Sequence, residues 1–486
     1  MDINSTGRRS NRAFSRSLKT VLFGCTALVA LTPAMLFAQE AGSDTTLAPI
    51  VIKGSGTSSV LNTENDSKSI VATETTGVGK MPTDILVAPA SVSVITSKEI
   101  EERAADSVEK VVQYTAGVSG DFYGSDDRYD YFDIRGFVPY TYRDGLAIGR
   151  TFGGVREEPY AFERIEVLKG TSSAGFGVAE PGGSVNYVTK LPKRERFGEV
   201  YGTGGSFAHK EAGFDFGDNI TEDDTLSYRL TGKFQRADGE YDYSRDNENF
   251  IMGGLTWRPT DVTSLSFVFD HLDKRGTPGS GGQPYGTDFR RSKFFGEPDY
   301  YFNDTNRNTY SLLLDHDFGD GLSFSSKARY SNSKLDFGSV YPSSLRTDGS
   351  HLIDRYYFGS DTASEQFVID AHLMYEANFD NVESRTLAGI DYNNFKSENY
   401  GVYVPGAPPI NWLDPVYSGA PSSISPTYGT RNDQKTTGLY LQEDLTFADR
   451  LTVSLGLRND WLDLSETDLF AISNPTTSGN HSEFSK

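Results

Sequence analysis

Six histidines, at positions 209, 271, 316, 351, 372 and 481, and one cysteine, Cys25, are the only imidazole and thiol groups in the 486 residues. The histidines are scattered without the short spacings that a zinc site uses. Cys25 lies inside a leading apolar segment, so a chain processed behind it carries neither disulfides nor thiolate chemistry. The Gly-rich run from Lys169 to Gly177 lacks the Gly-Lys-Ser/Thr ending whose lysine neutralises phosphates, and tight turns account for it. No Ser/His/Asp set clusters as hydrolysis would need. These residue types point away from an enzyme. What the chain does hold in quantity is 27 Tyr, 31 Phe and 49 Gly.

The formal charge is −21, and the first 38 residues carry five bases (Arg8, Arg9, Arg12, Arg16, Lys19) against Asp2. Without them the remainder holds 41 bases against 66 acids. Such a polyanion repels nucleic acid and anionic head groups. Mean hydropathy is −0.46. Beyond the N-terminus no stretch reaches the roughly 20 apolar residues of a spanning helix. A polar chain rich in Tyr, Phe and Gly suits a transmembrane barrel, where only alternate residues face lipid.

Arg8–Lys19 followed by apolar Val21–Ala38 reads as a secretory signal peptide cleaved after Leu36-Phe37-Ala38. Two rivals are weaker. The apolar core follows Cys25 where a lipoprotein box wants it before, and Ser10-Asn11 break a twin-arginine pattern. Residues 39–80, rich in Ser, Thr and Gly, read as a mobile linker. One apolar island interrupts it, Leu47-Ala48-Pro49-Ile50-Val51-Ile52, either a sticky patch or a strand offered to a partner's sheet edge.

Residues 81–192 read as a compact α/β unit. Ala90–Ile95 alternates as a strand, Thr96 or Ser97 caps a helix, and Asp106 starts a second. Val108, Val111, Val112 and Tyr114 form that second helix's apolar stripe, and Gly117 ends it. Short strands are expected at 133–137 and 164–169. From Phe197 the texture changes to long alternating runs. Leu226, Tyr228, Leu230, Gly232 and Phe234 lie on one face, against Ser227, Arg229, Thr231, Lys233 and Gln235 on the other. The runs 367–376 and 451–458 repeat the pattern. A soluble sandwich alternates too, but here short turns near 259–262, 319–321, 380–384 and 448–450 alternate with long connections at 275–308, 337–363 and 399–435. A membrane barrel with tight turns at one end and large loops at the other predicts this. About 11 strands are expected over 197–486, whereas plugged barrels have about 22. The last residues, Phe484–Lys486, are expected in an external loop, with the chain stopping halfway round its barrel.

Six segments, in order, resemble the plug of TonB-dependent siderophore receptors. They are Ala88–Ile95, Val111–Val118, Ile134-Arg135-Gly136-Phe137, Arg143-Asp144-Gly145-Leu146, Glu163–Gly170 and Pro181–Pro192. The resemblance covers the chain behind the leader, and its barrel is closest to hydroxamate-type (ferrichrome-like) receptors. It implies a membrane β-barrel with an N-terminal α/β plug, C-terminally truncated. It also implies an exported protein of the Gram-negative outer membrane that works as a monomer in contact with lipid and transports ferric siderophores. In that reading 47–52 is the TonB box, and no cofactor or protein metal ligand is needed because the siderophore already saturates the iron. Ligand contacts are expected from Tyr123, Arg128, Tyr140 and Phe152 on the plug and from Tyr285, Phe289, Tyr400, Tyr403, Trp412 and Tyr417 on loops. Against each stands the simpler role of aromatic loop packing. Tyr123 stands where ferrichrome receptors carry a ligand-touching Arg. Arg135 and Lys169 resemble plug bases that lock onto glutamates of later strands. The alternatives are a haem or other nutrient receptor of this fold, or a non-functional truncated receptor. A haem receptor wants histidines on the plug, which has none.

Overall fold

Short alternating strands, broken by glycine turns and flanked by two capped helices, build the N-terminal unit. The computed structural model describes residues 63 and 65–485, except 125–127, 150–155, 172, 178–179, 280–286, 291, 449 and 472–475. The leader, the 47–52 segment, Phe152 and Tyr285 lie outside the described residues.

Two short strands, β1 (Glu74–Thr75) and β2 (Thr83–Asp84), pair with each other ahead of β3 (Ser91–Thr96). The helices are α1 (Ser97–Glu102) and α2 (Val108–Val112). Thr96 accepts from the Glu99 amide and Ser107 from the Lys110 amide, so each helix start has a side-chain cap. There follow β4 (Val118–Gly120), β5 (Phe132–Ile134), β6 (Tyr140–Arg143), β7 (Leu146–Ala147), β8 (Phe162–Lys169), α3 (Ser173–Phe176) and β9 (Gly183–Thr189). Five of these strands form a sheet in the order β3-β8-β9-β6-β7, with β6 and β9 parallel.

Three expectations need correcting here. Tyr114 is 73% exposed and leaves the apolar stripe, because α2 ends at Val112; its ring lies under the Arg103 guanidinium instead. The strand expected at 133–137 stops at Ile134, because Arg135 (φ 52°) and Gly136 (φ 82°) turn the chain into the left-handed region. Residues 65–80 are not free linker. Asp66 pairs with buried Arg164, and Thr76 hydrogen-bonds to Glu166, so this stretch straps the plug sheet.

The second unit of architecture is one antiparallel sheet of twelve strands, paired strictly between chain neighbours. The first six are β10 (Phe197–Gly204), β11 (Lys210–Asn219), β12 (Leu226–Arg236), β13 (Asp246–Thr260), β14 (Thr263–Gly276) and β15 (Phe302–Gly319). The rest are β16 (Leu322–Leu345), β17 (Leu352–Phe379), β18 (Val382–Asn411), β19 (Tyr428–Phe447), β20 (Leu451–Asp468) and β21 (Thr476–Ser485). Among the described residues β10 and β21 do not pair with each other, so the sheet is not closed. The count is twelve rather than about eleven. Phe484 and Ser485 belong to a strand in register with β20, not to an external loop, and Lys486 lies outside the described residues. The connections expected at 337–363 and 399–435 are largely strand as well. The ladder of β16 with β17 runs to Leu345↔Ile353, and β18 continues to Asn411. At 28 and 30 residues, β17 and β18 are about three times the length needed to cross a bilayer.

The two faces of the sheet are inverted relative to a soluble protein. On β12 the outward Leu230 and Phe234 are exposed, whereas Ser227, Arg229, Thr231, Lys233 and Gln235 are buried. The same holds on β17, where Phe367, Leu373 and Tyr375 face out and Gln366, Asp370 and Met374 are covered. Apolar residues outside and buried polar residues inside suit a strand array in lipid and exclude a sandwich. What covers the polar face is the N-terminal unit. Its core of Ile95, Val108, Val111, Phe132, Ile134, Ile165 and Val185 is continuous with Phe250, Met252, Val268 and Leu272 of β13 and β14.

Candidate functional site

Charge pairs across this interface hold the plug to the inner wall. Arg143 on β6 meets Asp270 on β14 at 2.8 Å, and Glu157 meets Arg307 on β15 at 2.8 Å. Glu158 meets Lys233 at 2.8 Å and Glu163 meets Arg229 at 2.5 Å. Burial works against the charged form of Glu163, yet Arg229, Lys193 and Lys190 outweigh it and hold the carboxyl below its ordinary range. On the other flank Lys80 spans Asp370 (2.5 Å) and Asp391 (3.3 Å), and Arg458 binds Asp391 at 2.6 Å and Asp460. Beside Lys80, Met81 is buried against Met374, Leu387 and Tyr440 of the wall, and Arg385 donates to the Pro82 carbonyl at 2.9 Å. Arg385 is the fourth residue of β18 after its short turn from β17, so the strap docks at the short-turn end.

The opposite end is aromatic. Arg128 on the plug lies 4.4 Å from the ring centroid of Phe337. Phe337 shares the inward face of β16 with Tyr341, and both adjoin Phe358 on β17, at 5.4 and 6.1 Å. Tyr356, also on β17, stands 5.2 Å from Tyr403 on β18. On the plug side Tyr123 and Tyr129 both pack on Tyr131, at 4.7 and 5.1 Å. Tyr123 is 63% and Tyr403 55% exposed. The result is a set of aromatic faces and one guanidinium at the long-connection end, with the plug as floor. Next to it a cavity of about 420 Å³ reaches down between residues 118–124 of the plug and the β12–β13 connection, lined by Glu109, Asp130 and Arg156. Burial pushes the Glu109 carboxyl up to about 8 and that of Asp130 to about 6.

The other expected contacts fall elsewhere. Tyr140 lines a separate cavity of about 180 Å³ with Phe395, Lys80 and Arg458. Tyr400 is on the outer face of β18, because its neighbours Asn399 and Gly401 share the inward face with Tyr403; its hydroxyl donates to Glu398 at 2.6 Å. Phe289, Trp412 and Tyr417 join a loop core. Phe289 packs edge-on against Phe295 at 4.6 Å, Trp412 against His351 at 5.6 Å, and Tyr417 donates to the Phe294 carbonyl at 3.0 Å. The fully buried Arg355–Glu297 pair (2.6 Å) ties that core together. Among the described residues Arg135 and Lys169 form no ion pair; Arg135 is exposed and Lys169 donates to Ser93 at 3.0 Å.

Sequence reasoning missed Phe337, Tyr341, Tyr356 and Phe358, because the stretch that holds them was read as a loop. Their i, i+2 and i, i+4 spacing was the available signal. It also missed Lys80, Arg143 and Asp370, charged residues whose partners lie up to 311 positions away.

Comparison with known proteins agrees with this architecture. Residues 84–184 match the TonB-dependent receptor plug domain, and residues 256–485 match the TonB-dependent receptor-like β-barrel. The ferrioxamine B receptor of Salmonella typhimurium LT2 is 30% identical over 423 residues, covering 84% of this chain and 59% of the relative. The ferrichrome outer membrane transporter/phage receptor of Escherichia coli K12 is 28% identical, covering 81% and 58%. The chain therefore spans under two thirds of the length of these curated relatives. Among solved structures, the siderophore receptor PiuA from Acinetobacter baumannii superposes with a TM-score of 0.76 at 19% identity, covering 86% and 64%. The ferripyoverdine receptor of the outer membrane of Pseudomonas aeruginosa, bound to ferripyoverdine, gives 0.76 at 18%, covering 88% and 58%. With a plug matched at one end, a barrel at the other and polar pairs joining them, the chain belongs to the TonB-dependent receptors.

Proposed function

We propose that this chain binds and imports ferric siderophores at the outer membrane, energised by the TonB complex acting on the 47–52 segment after signal-peptide removal. The observation that carries this reading is the aromatic surface over the plug. Tyr356, Phe358 and Tyr403 on the wall, with Tyr123 and Arg128 on the plug, offer ring faces and one cation to a bulky chelate. The iron is cargo, already saturated by the siderophore, so the protein acts as a monomeric receptor without a resident cofactor. Tyr140 would meet the ligand further in, along the 180 Å³ cavity. Phe289, Trp412 and Tyr417 shape the loops that close over it. The names of the two curated relatives favour hydroxamate chelates such as ferrioxamine and ferrichrome. A haem receptor is disfavoured by the absence of histidine between residues 81 and 192.

The test is a titration of the exported protein with a panel of ferric siderophores, read by quenching of tryptophan fluorescence. Saturable binding of at least one hydroxamate chelate is expected, weakened about tenfold or more in Tyr356→Ala and Tyr403→Ala. Binding of none, or equal binding by both variants, overturns the assignment. Transport is tested separately with Ile50→Pro, which removes a main-chain donor needed for strand pairing. Binding is expected to survive and energised uptake to stop.

A further inference from the structure

Charge accounting at the plug's inner hairpin does not balance. Three guanidiniums, from Arg143, Arg307 and Arg329, converge on a cavity of about 60 Å³ beneath Ile148 and Gly149. All three are at least nine-tenths buried. Two carboxylates answer them. Asp270 lies 2.8 Å from Arg143 and 3.4 Å from Arg307, and Glu157 lies 2.8 Å from Arg307 and 3.7 Å from Arg143. Asp144 is turned to the Thr189 amide and hydroxyl and lines a neighbouring cavity with Lys80 and Lys327. Arg329 has no carboxylate within ion-pair distance among the described residues. Its hydrogen bonds go to neutral acceptors, the carbonyls of Arg143 and Leu146 (3.4 Å each) and Ala147 (2.6 Å) and the Gln366 side chain (3.4 Å). Glu157 and Asp144 act on Arg329 only from beyond ion-pair distance, and a buried charge without a close counter-charge is costly.

The cavity is built to compensate it. Besides the guanidiniums its wall carries the hydroxyls of Thr309 and Ser331 and the Ser333–Ser364 pair, 2.7 Å apart, in which one hydroxyl donates to the other and one proton is left for the cavity. Among the described residues the buried Arg307 Nε–H has no hydrogen-bond partner, and Glu157 Oε2 is the one side-chain acceptor of the wall left without a donor. The volume holds a small ion and a water, the water donating to Glu157. We propose that this cavity binds one halide-sized monovalent anion, chloride in most media, which neutralises Arg329 and seats the 140–149 hairpin against β15, β16 and β17. The site is distinct from the aromatic surface and does not depend on the transport reading.

The full chain, purified in detergent and crystallised with bromide replacing chloride, gives the direct test. An anomalous bromide peak within hydrogen-bond reach of Arg329 and Arg307 Nε is expected; a cavity with only water, at saturating bromide, overturns the proposal. Thermal unfolding supplies a second readout. Tm should rise on replacing gluconate by bromide or chloride. Ser331→Asp, which places a covalent negative charge on the same wall two positions from Arg329, should abolish that dependence, while Ser331→Ala should keep it. A halide effect equally large in Ser331→Asp and Ser331→Ala, or none in the unaltered chain, refutes the site.

Discussion

Replacing Arg355 by Met should release the external loops from one another. Arg355 and Glu297 are both fully buried and 2.6 Å apart. The guanidinium also donates to the carbonyls of Pro408 (2.7 Å), Phe295 (3.0 Å) and Gly296 (2.8 Å). Glu297 in turn accepts from the amides of Ser418 (3.0 Å) and Gly419 (2.9 Å), so this one pair binds the β14–β15 connection to the β18–β19 connection. Met fills similar volume but leaves a buried carboxylate without counter-charge, and breaking such a pair costs about 3–5 kcal/mol. That converts to roughly 150-fold or more in a local opening equilibrium, at about 1.4 kcal/mol per factor of ten. Hydrogen exchange of the Ser418 and Gly419 amides reads it directly, with strand amides of β17 as internal control. In the double variant Arg355→Met/Glu297→Gln the buried charge is gone, while an amide oxygen still accepts from the two backbone donors. Protection should then recover by more than about 1.5 kcal/mol. Unchanged exchange in the single variant, or no recovery in the double, refutes the clamp.

Removing the Lys80 ammonium with Lys80→Met should destabilise the docking of residues 76–84 by about 2–4 kcal/mol, less than a fully isolated pair because Arg458 and Tyr440 still serve Asp391 and Asp370; faster protease cutting in that segment measures it. Met81→Ala removes a side chain packed on Met374, Leu387 and Tyr440, and a loss of about 2–3 kcal/mol by thermal unfolding is expected. Glu109 supplies a pH dependence. Burial raises its carboxyl from an ordinary 4.5 to about 8 in the native state, so the folded chain holds a proton that the unfolded chain releases. Its contribution is therefore full below pH 4.5 and is lost as pH rises toward 8. Glu109→Gln should flatten the fall in Tm between pH 5 and pH 8, and an unaltered slope would rule the carboxyl out as its cause.

The strength of the sequence lay in signals that are local. Side chains alternate with period two whatever the partner strand, so the charged face of β12 and the apolar face of β20 could be read from Leu226–Gln235 and Leu451–Arg458 alone. The plug segments were legible for a similar reason, because turn glycines such as Gly117 and Gly136 meet backbone conformations that the residue itself favours. Register is not local. Whether 337–363 is a loop or a paired ladder depends on how far β16 and β17 stay hydrogen-bonded, which Ser, Gly and Pro propensities do not reveal. The same pairing sends Tyr403 inward and Tyr400 outward, two neighbours that composition cannot separate. The charge pairs are further still from local control. Lys80 meets Asp391, and Arg329 meets the plug carbonyls, only because the plug sits against one stretch of the inner wall. A sequence states which residues carry charge; the closeness of two burying surfaces decides which of those charges is answered and which is left over.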